Sequence, residues 1–152
     1  MGSKVVHCFE SFEGLETFSK EDNDEAKSTK GMYKGSYEEL MDVISLYHLN
    51  DEIVIHKGLI QDTLNETLSK NKELTFSFVY CDVDLYEPTQ IILDELHDRL
   101  SKGGLFIFDE WNYDIYQGET KAVNEFLKEH SSNYEIQHVK HTRQPSIVLK
   151  KI

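Results

Sequence analysis

Apolar positions along the chain follow two alternating rhythms. Residues 5–9 (VVHCF) form a short apolar run closed by Glu10, and residues 53–56 form a second that ends at Lys57-Gly58. Residues 74–81 (LTFSFVYC) make a third run and residues 105–108 (LFIF) a fourth. Runs of this length, rich in β-branched and aromatic residues and bounded by polar ones, predict buried strands. Between them the spacing becomes helical. Tyr37, Leu40, Met41, Ile44 and Tyr47 share one face up to about His48, behind a Ser36-x-x-Glu39 capping box. A short helix is predicted over about 61–69. In a third helix Pro88 suits the first turn, Ile92, Leu96 and Leu100 form the stripe, and Lys102-Gly103-Gly104 closes it. Residues 118–130 are a fourth, with Ala122, Val123, Phe126 and Leu127 inward. Residues 134–139 and 147–151 read as a closing strand pair, and the polar stretch 11–34, with Gly14 and Gly31, reads as a loop. Strands alternating with helices predict an α/β, doubly wound, mostly parallel sheet with right-handed crossovers. The last pair is antiparallel, because no crossover fits between its strands.

Composition adds boundaries. A chain of 152 residues suits a single domain over 1–152, and a hydrophobic share of 39% supports a core. The 16 basic and 28 acidic side chains leave a net charge of −12, which argues against nucleic acid as a partner and favours a neutral or cationic small molecule over a phosphorylated one. No run approaches the ~20 apolar residues of a membrane span, and no signal peptide is recognisable. A soluble, cytoplasmic protein is expected. Cys8 and Cys81 both lie in strand-like runs and read as buried free thiols in a reducing compartment.

Candidate chemistry sits at the strand ends. In open α/β sheets, ligands bind outside the carboxyl ends of the strands. Three of the four predicted parallel strands end in acids: Glu10, then Asp82 with Asp84, then Asp109 with Glu110. Taken singly, each acid either caps the following helix or binds a ligand. Together at one rim they repel one another unless a cation is present. A hard ion such as Mg²⁺ would satisfy Asp82, Asp109 and Glu110. An acid at the end of the first strand is suited to ribose hydroxyls. Asp84 either caps the helix that carries Pro88 or joins the chemistry. Trp111, Tyr113 and Tyr116 follow the acidic pair and form either an acceptor wall or a cover for the sheet rim. His138 and His141 are three apart beside a strand, so they face opposite ways and read as surface residues. The chain has no G-x-S-x-G elbow, P-loop or CxxC.

These residues resemble a family. The stretch CDVDLYEPTQIILDELHDRLSKGGLFIFDEW is similar to the D-x-D-x-Y-E-x-T, helix, G-G, strand, D-D pattern of macrocin-type (TylF-like) O-methyltransferases. CFESFEGL resembles that family's F-D-S-F-E-G-L segment, KGLIQDTL its G-x-x-x-D-T-L segment, and GETKAVNEFLKEH its later helix. The likeness covers residues 5 to 130, with the segments in order. It implies a class I methyltransferase (Rossmann-like) fold, S-adenosylmethionine as methyl donor, and a Mg²⁺ ion orienting hydroxyls of a saccharide or polyol-like acceptor. Under that resemblance Glu10 holds the ribose hydroxyls and Ser11 and Phe12 line the adenosine side. Gly58 and Leu59 match the loop near the adenine. Asp82 matches the first metal ligand, with Asp109 and Glu110 the final acidic pair. Asp82 or Asp84 would take the proton from the acceptor hydroxyl.

Two departures stand out. Glu10 and Glu110 replace the family's usual Asp, which keeps the charge and lengthens the arm. The glycine-rich strand and turn that cradle the donor's methionine part have no counterpart, so the chain reads as N-terminally shortened by about one strand and one helix. In the family's fold that strand lies between the one ending at Glu10 and the one ending at Asp82. Its loss would leave an exposed sheet edge, and an unpaired edge invites a homo-oligomer. A shortened binding or assembly module, or a fragment of a longer methyltransferase, is therefore the rival expectation to an active enzyme.

Overall fold

A computed structural model describes residues 4–141, 144 and 146–152. In chain order the first elements are β1 (Val6–Glu10), α1 (Asp24–Lys27), α2 (Tyr37–Leu46), β2 (Ile53–Lys57) and α3 (Ile60–Lys70). There follow β3 (Phe76–Cys81), α4 (Tyr86–Leu96), β4 (Leu100–Phe108), α5 (Gln117–His130), a 3₁₀ turn (Ser131–Asn133), β5 (Tyr134–His138) and β6 (Ile147–Lys151). The architecture is α/β, with every predicted strand and helix present. It divides into two units, Met1–Glu16 with Gly31–Lys72, and Thr17–Lys30 with Glu73–Ile152.

In the first unit β1 and β2 pair in parallel, from Val6 opposite Ile53 to Glu10 opposite Lys57. The capping box is realised at α2, where the Ser36 hydroxyl accepts from the Glu39 amide at 3.2 Å. Helix α3 buries Leu64, Thr67 and Leu68, the apolar side of an amphipathic turn pattern. Thr67 gives its proton to the Thr63 carbonyl, so it accepts from His56 Nδ1 at 3.0 Å. That tautomer leaves His56 Nε2 as the acceptor for His7 Nδ1, 2.9 Å away.

In the second unit the strand order is β3-β4-β6-β5, with β3 parallel to β4 and the other pairings antiparallel. The closing pair is antiparallel as expected. One sheet face carries Phe106, Phe108, Ile147 and Leu149, all buried, as are Leu93 and Leu96 of α4 and Val123 of α5. On the other face Phe78 and Tyr80 lie opposite Leu105 and Ile107, and remain 55% and 46% exposed.

Three expectations are corrected. Leu100 belongs to β4 opposite Phe76, not to the preceding helix, which stops at Leu96. Arg99 supplies the carbonyl that receives the Phe76 amide, so strand pairing takes over before the stripe is complete. Gly103 does adopt the left-handed region (φ +77°), but inside β4, where the β3–β4 register shifts, rather than as a helix cap. The stretch 11–34 is not all loop. Residues 24–27 form α1 behind an Asn23 cap, and Ala26 and Asp22 are buried. Asp22 Oδ2 accepts from the Ser19 amide and hydroxyl, and Oδ1 accepts from the Tyr86 amide at 3.0 Å.

Candidate active site

Each unit carries one part of the expected site. In the first, the ends of β1 and β2 bring Glu10, Ser11, Phe12, Gly58 and Leu59 together. The Gly58 amide donates to the Glu10 carbonyl at 3.0 Å, and Glu10 Oε1 accepts from the Phe12 amide at 2.8 Å. Ser11 Oγ accepts from Glu13. Phe12 is buried with φ +61°, edge-on to Tyr37, and Lys57 Nζ lies 4.6 Å from the Tyr37 ring centroid. Leu59 is the cap residue of α3 and makes no side-chain cap bond. The Glu10 carboxylate is solvent-exposed and folded back onto its own loop.

In the second unit the acids follow β3 and β4. Carboxylate oxygens of Asp82, Asp84 and Asp109 all lie within 4.8 Å of one another. Asp109 and Asp84 are buried and Asp82 is exposed, so the group opens to solvent on one side. Burial, then the negative fields of Asp82 and Glu110, pushes the Asp84 carboxyl up to about 7. Burial and then the neighbouring Asp82 hold Asp109 well above the usual carboxylate range. Asp109 Oδ1 is buried with no hydrogen-bond partner among the described residues. Three converging hard oxygen donors, one of them otherwise unsatisfied, fit a divalent cation of the Mg²⁺ class.

The sequence set differs slightly from this triad. Glu110 is buried beside it rather than within it, its Oε1 accepting from Gln144 Nε2 and its amide donating to Glu119 Oε1 at 2.9 Å. Asp84 joins the triad. It does not cap α4: the cap residue is Leu85, with no side-chain cap bond, and Asp22 accepts the Tyr86 amide instead. Asp84 also holds a left-handed backbone, φ +60°, uncommon for a residue other than glycine.

The aromatic trio divides. Tyr116 is buried at the start of α5, whereas Trp111 Nε1 donates to Asn124 Oδ1 at 3.2 Å. Tyr113 lines an open surface groove of about 420 Å³ along α5, together with polar Asn112, Gln117, Thr120 and Asn124 and charged side chains that include Lys121 and Glu125. His138 and His141 are exposed. Burial pushes the Cys81 thiol up, which disfavours a thiolate there.

Sequence reasoning missed Glu119, Gln144 and Asp22. For Glu119 a signal existed: it stands three and four positions before Ala122 and Val123, on the apolar face of its helix. Gln144 and Asp22 lie in irregular segments, and Glu110 and Tyr86, which they meet, are far away in sequence.

The family model for macrocin-O-methyltransferase (TylF) matches residues 1–144. No curated protein sequence matches. Among solved structures, the calicheamicin methyltransferase CalS11 superposes with a TM-score of 0.74 at 21% identity, covering 96% of this chain and 60% of that one. The O-methyltransferase NovP gives a TM-score of 0.75 at 21% identity, covering 97% and 60%. A Bacillus cereus O-methyltransferase solved with SAH gives 0.56 at 15%, covering 77% and 60%. At these identities the likeness establishes the class I methyltransferase fold, and the chain spans about 60% of the length of these structures. The chain belongs to the macrocin-O-methyltransferase (TylF) family.

Proposed function

We propose that this chain carries S-adenosylmethionine-dependent methyl transfer to a hydroxyl of a saccharide or polyol-like small molecule, with a Mg²⁺-class ion at the acid cluster. The observation that carries the reading is the convergence of Asp82, Asp84 and Asp109 within 4.8 Å, with one buried oxygen left without a partner. CalS11 is described as a TDP-rhamnose 3'-O-methyltransferase, which supports a sugar-like acceptor. The acids at the β3 and β4 ends, with Glu110 beside them, are the residues that would hold the ion. When bound, such an ion supplies positive charge that lowers the pKa of an acceptor hydroxyl. S-adenosylmethionine, when bound, would supply the methyl group for the acceptor oxygen, with S-adenosylhomocysteine as the leaving group.

The chain's own residues have three tasks. Glu10, Ser11, Phe12, Gly58 and Leu59 bind the ribose and adenine end of the donor. Tyr113 and the polar and charged side chains of the groove along α5 contact the acceptor. A carboxylate oxygen of Asp84 or Asp82 receives the hydroxyl proton. Calorimetric titration with S-adenosylmethionine and S-adenosylhomocysteine, each with and without Mg²⁺, tests the reading. Absence of heat from both ligands at millimolar concentration would sink it.

One observation favours a second reading, a binding or assembly module that pairs with another copy of itself. Phe78 and Tyr80 keep about half their surface in water on a sheet face that otherwise carries Leu105 and Ile107. Mass in solution separates the two: a strictly monomeric protein that transfers methyl groups excludes the module.

A further inference from the structure

The loop that leaves β4 carries Asp109 and Glu110, and two consecutive side chains at the start of α5 grip its backbone. Glu119 Oε1 accepts from the Glu110 amide at 2.9 Å, and Thr120 Oγ1 accepts from the Asn112 amide at 2.7 Å. Between these two points the loop turns back on itself, with the Tyr113 amide donating to the Glu110 carbonyl at 3.0 Å and Asn112 at φ +63°. Glu119 is wholly inaccessible, and its Oε2 has no hydrogen-bond partner among the described residues. A carboxyl at a fully buried helix position is costly, because burial without full hydrogen bonding is penalised. Packing alone would place an aliphatic residue there, next to Ala122 and Val123. What the carboxyl provides is an acceptor for one particular amide, that of the residue directly after Asp109.

We infer that Glu119 is a positioning residue for the acid cluster: its carboxyl oxygen fixes the Glu110 amide and thereby sets the preceding residue, Asp109, toward the cation. It acts through the loop rather than on substrate. The inference rests on the metal reading above. It goes beyond that reading in assigning a role to a residue outside the acid motifs. Groups that orient metal ligands typically change metal affinity by about 10–100-fold when removed.

The test uses the full chain, Mn²⁺ as probe, and two variants. Glu119→Gln keeps an acceptor oxygen, whereas Glu119→Leu keeps bulk and removes it. Expected are wild-type-like Mn²⁺ binding for Glu119→Gln and a loss of about 10–100-fold for Glu119→Leu. Amide hydrogen exchange at Glu110 gives an independent readout: protected in the wild type and Glu119→Gln, as fast as an open loop amide in Glu119→Leu. Unchanged Mn²⁺ affinity in Glu119→Leu overturns the inference, as does a defect in Glu119→Gln equal to that of Glu119→Leu. Should Glu119→Leu fail to fold, an unprotected Glu110 amide in the wild type or in Glu119→Gln overturns it. A wild type that binds no Mn²⁺ yet protects the Glu110 amide fails the metal reading, and with it the role toward the ion. A wild type that binds Mn²⁺ with a freely exchanging Glu110 amide fails this inference alone.

Discussion

Asp22 shows how one side chain can order a segment. Its two oxygens receive three donors, the Ser19 amide and hydroxyl and the Tyr86 amide, so the carboxylate both closes its own turn and caps the first residue of α4. Gly118 makes room for it: a β-carbon there would stand 2.0 Å from Asp22 Oδ1 and 2.7 Å from the Tyr86 nitrogen. In an ordinary helix Gly→Ala would add about 1 kcal/mol of stability. Here Gly118→Ala is expected to destabilise by about 1–3 kcal/mol, because the clash displaces a buried hydrogen-bonded carboxylate. Asp22→Ala is expected to cost about 1–3 kcal/mol by leaving a helix-end amide unpaired. Urea midpoints for the two variants check both values, and a rise in midpoint for Gly118→Ala contradicts the packing. The buried acids make a further residue-scale prediction. Asp84 sits at about 7 against an ordinary 3.8, so between those values the folded protein holds a proton that the unfolded chain has released. Stability therefore falls as pH rises through that window, the reverse of a salt-bridged aspartate. Asp109, also held high, adds in the same direction. Thermal midpoints across that range without divalent ions should fall with pH, and Mg²⁺ should flatten the decline.

At the scale of elements, the patterns that read well were those with strong local causes. The apolar runs at β1, β2, β3 and β6 and the Ser36 box of α2 lie where residue types alone place them. The α4–β4 boundary was illegible because Leu100 completes a helical stripe by spacing, yet is claimed by pairing with Phe76, a contact that no local pattern encodes. The same holds for 11–34, whose polar composition reads as loop while Ala26 and Asp22 are buried and Asp22 is held by the Tyr86 amide far along the chain. Leu100→Ala tests the assignment. Almost fully buried on β4, Leu100 is expected to cost about 2–5 kcal/mol on truncation. A cost below 1 kcal/mol, as for a frayed helix end, contradicts it.

For the whole molecule, the acids at the strand ends were legible because aspartate and glutamate are out of place there, and their positions single out Asp82 and Asp109. The sequence did not say that Asp84 would complete the triad while Glu110 turns to Gln144 and Glu119; that depends on the left-handed backbone at Asp84 and on the start of α5. The exposed apolar face at Phe78 and Tyr80 belongs to this scale too. If it is only a surface, Phe78→Lys should change stability by less than about 0.5 kcal/mol and leave the mass in solution unchanged. A shift from dimer to monomer would favour the assembly reading.

Calorimetric titration of the full chain with S-adenosylmethionine, in the presence and absence of Mg²⁺, bears most directly on the proposed methyl transfer. The expected result is saturable donor binding, with a separate Mg²⁺ heat that disappears in Asp109→Asn. No heat from the donor or from S-adenosylhomocysteine at millimolar concentration, by a protein shown to be folded, would contradict it.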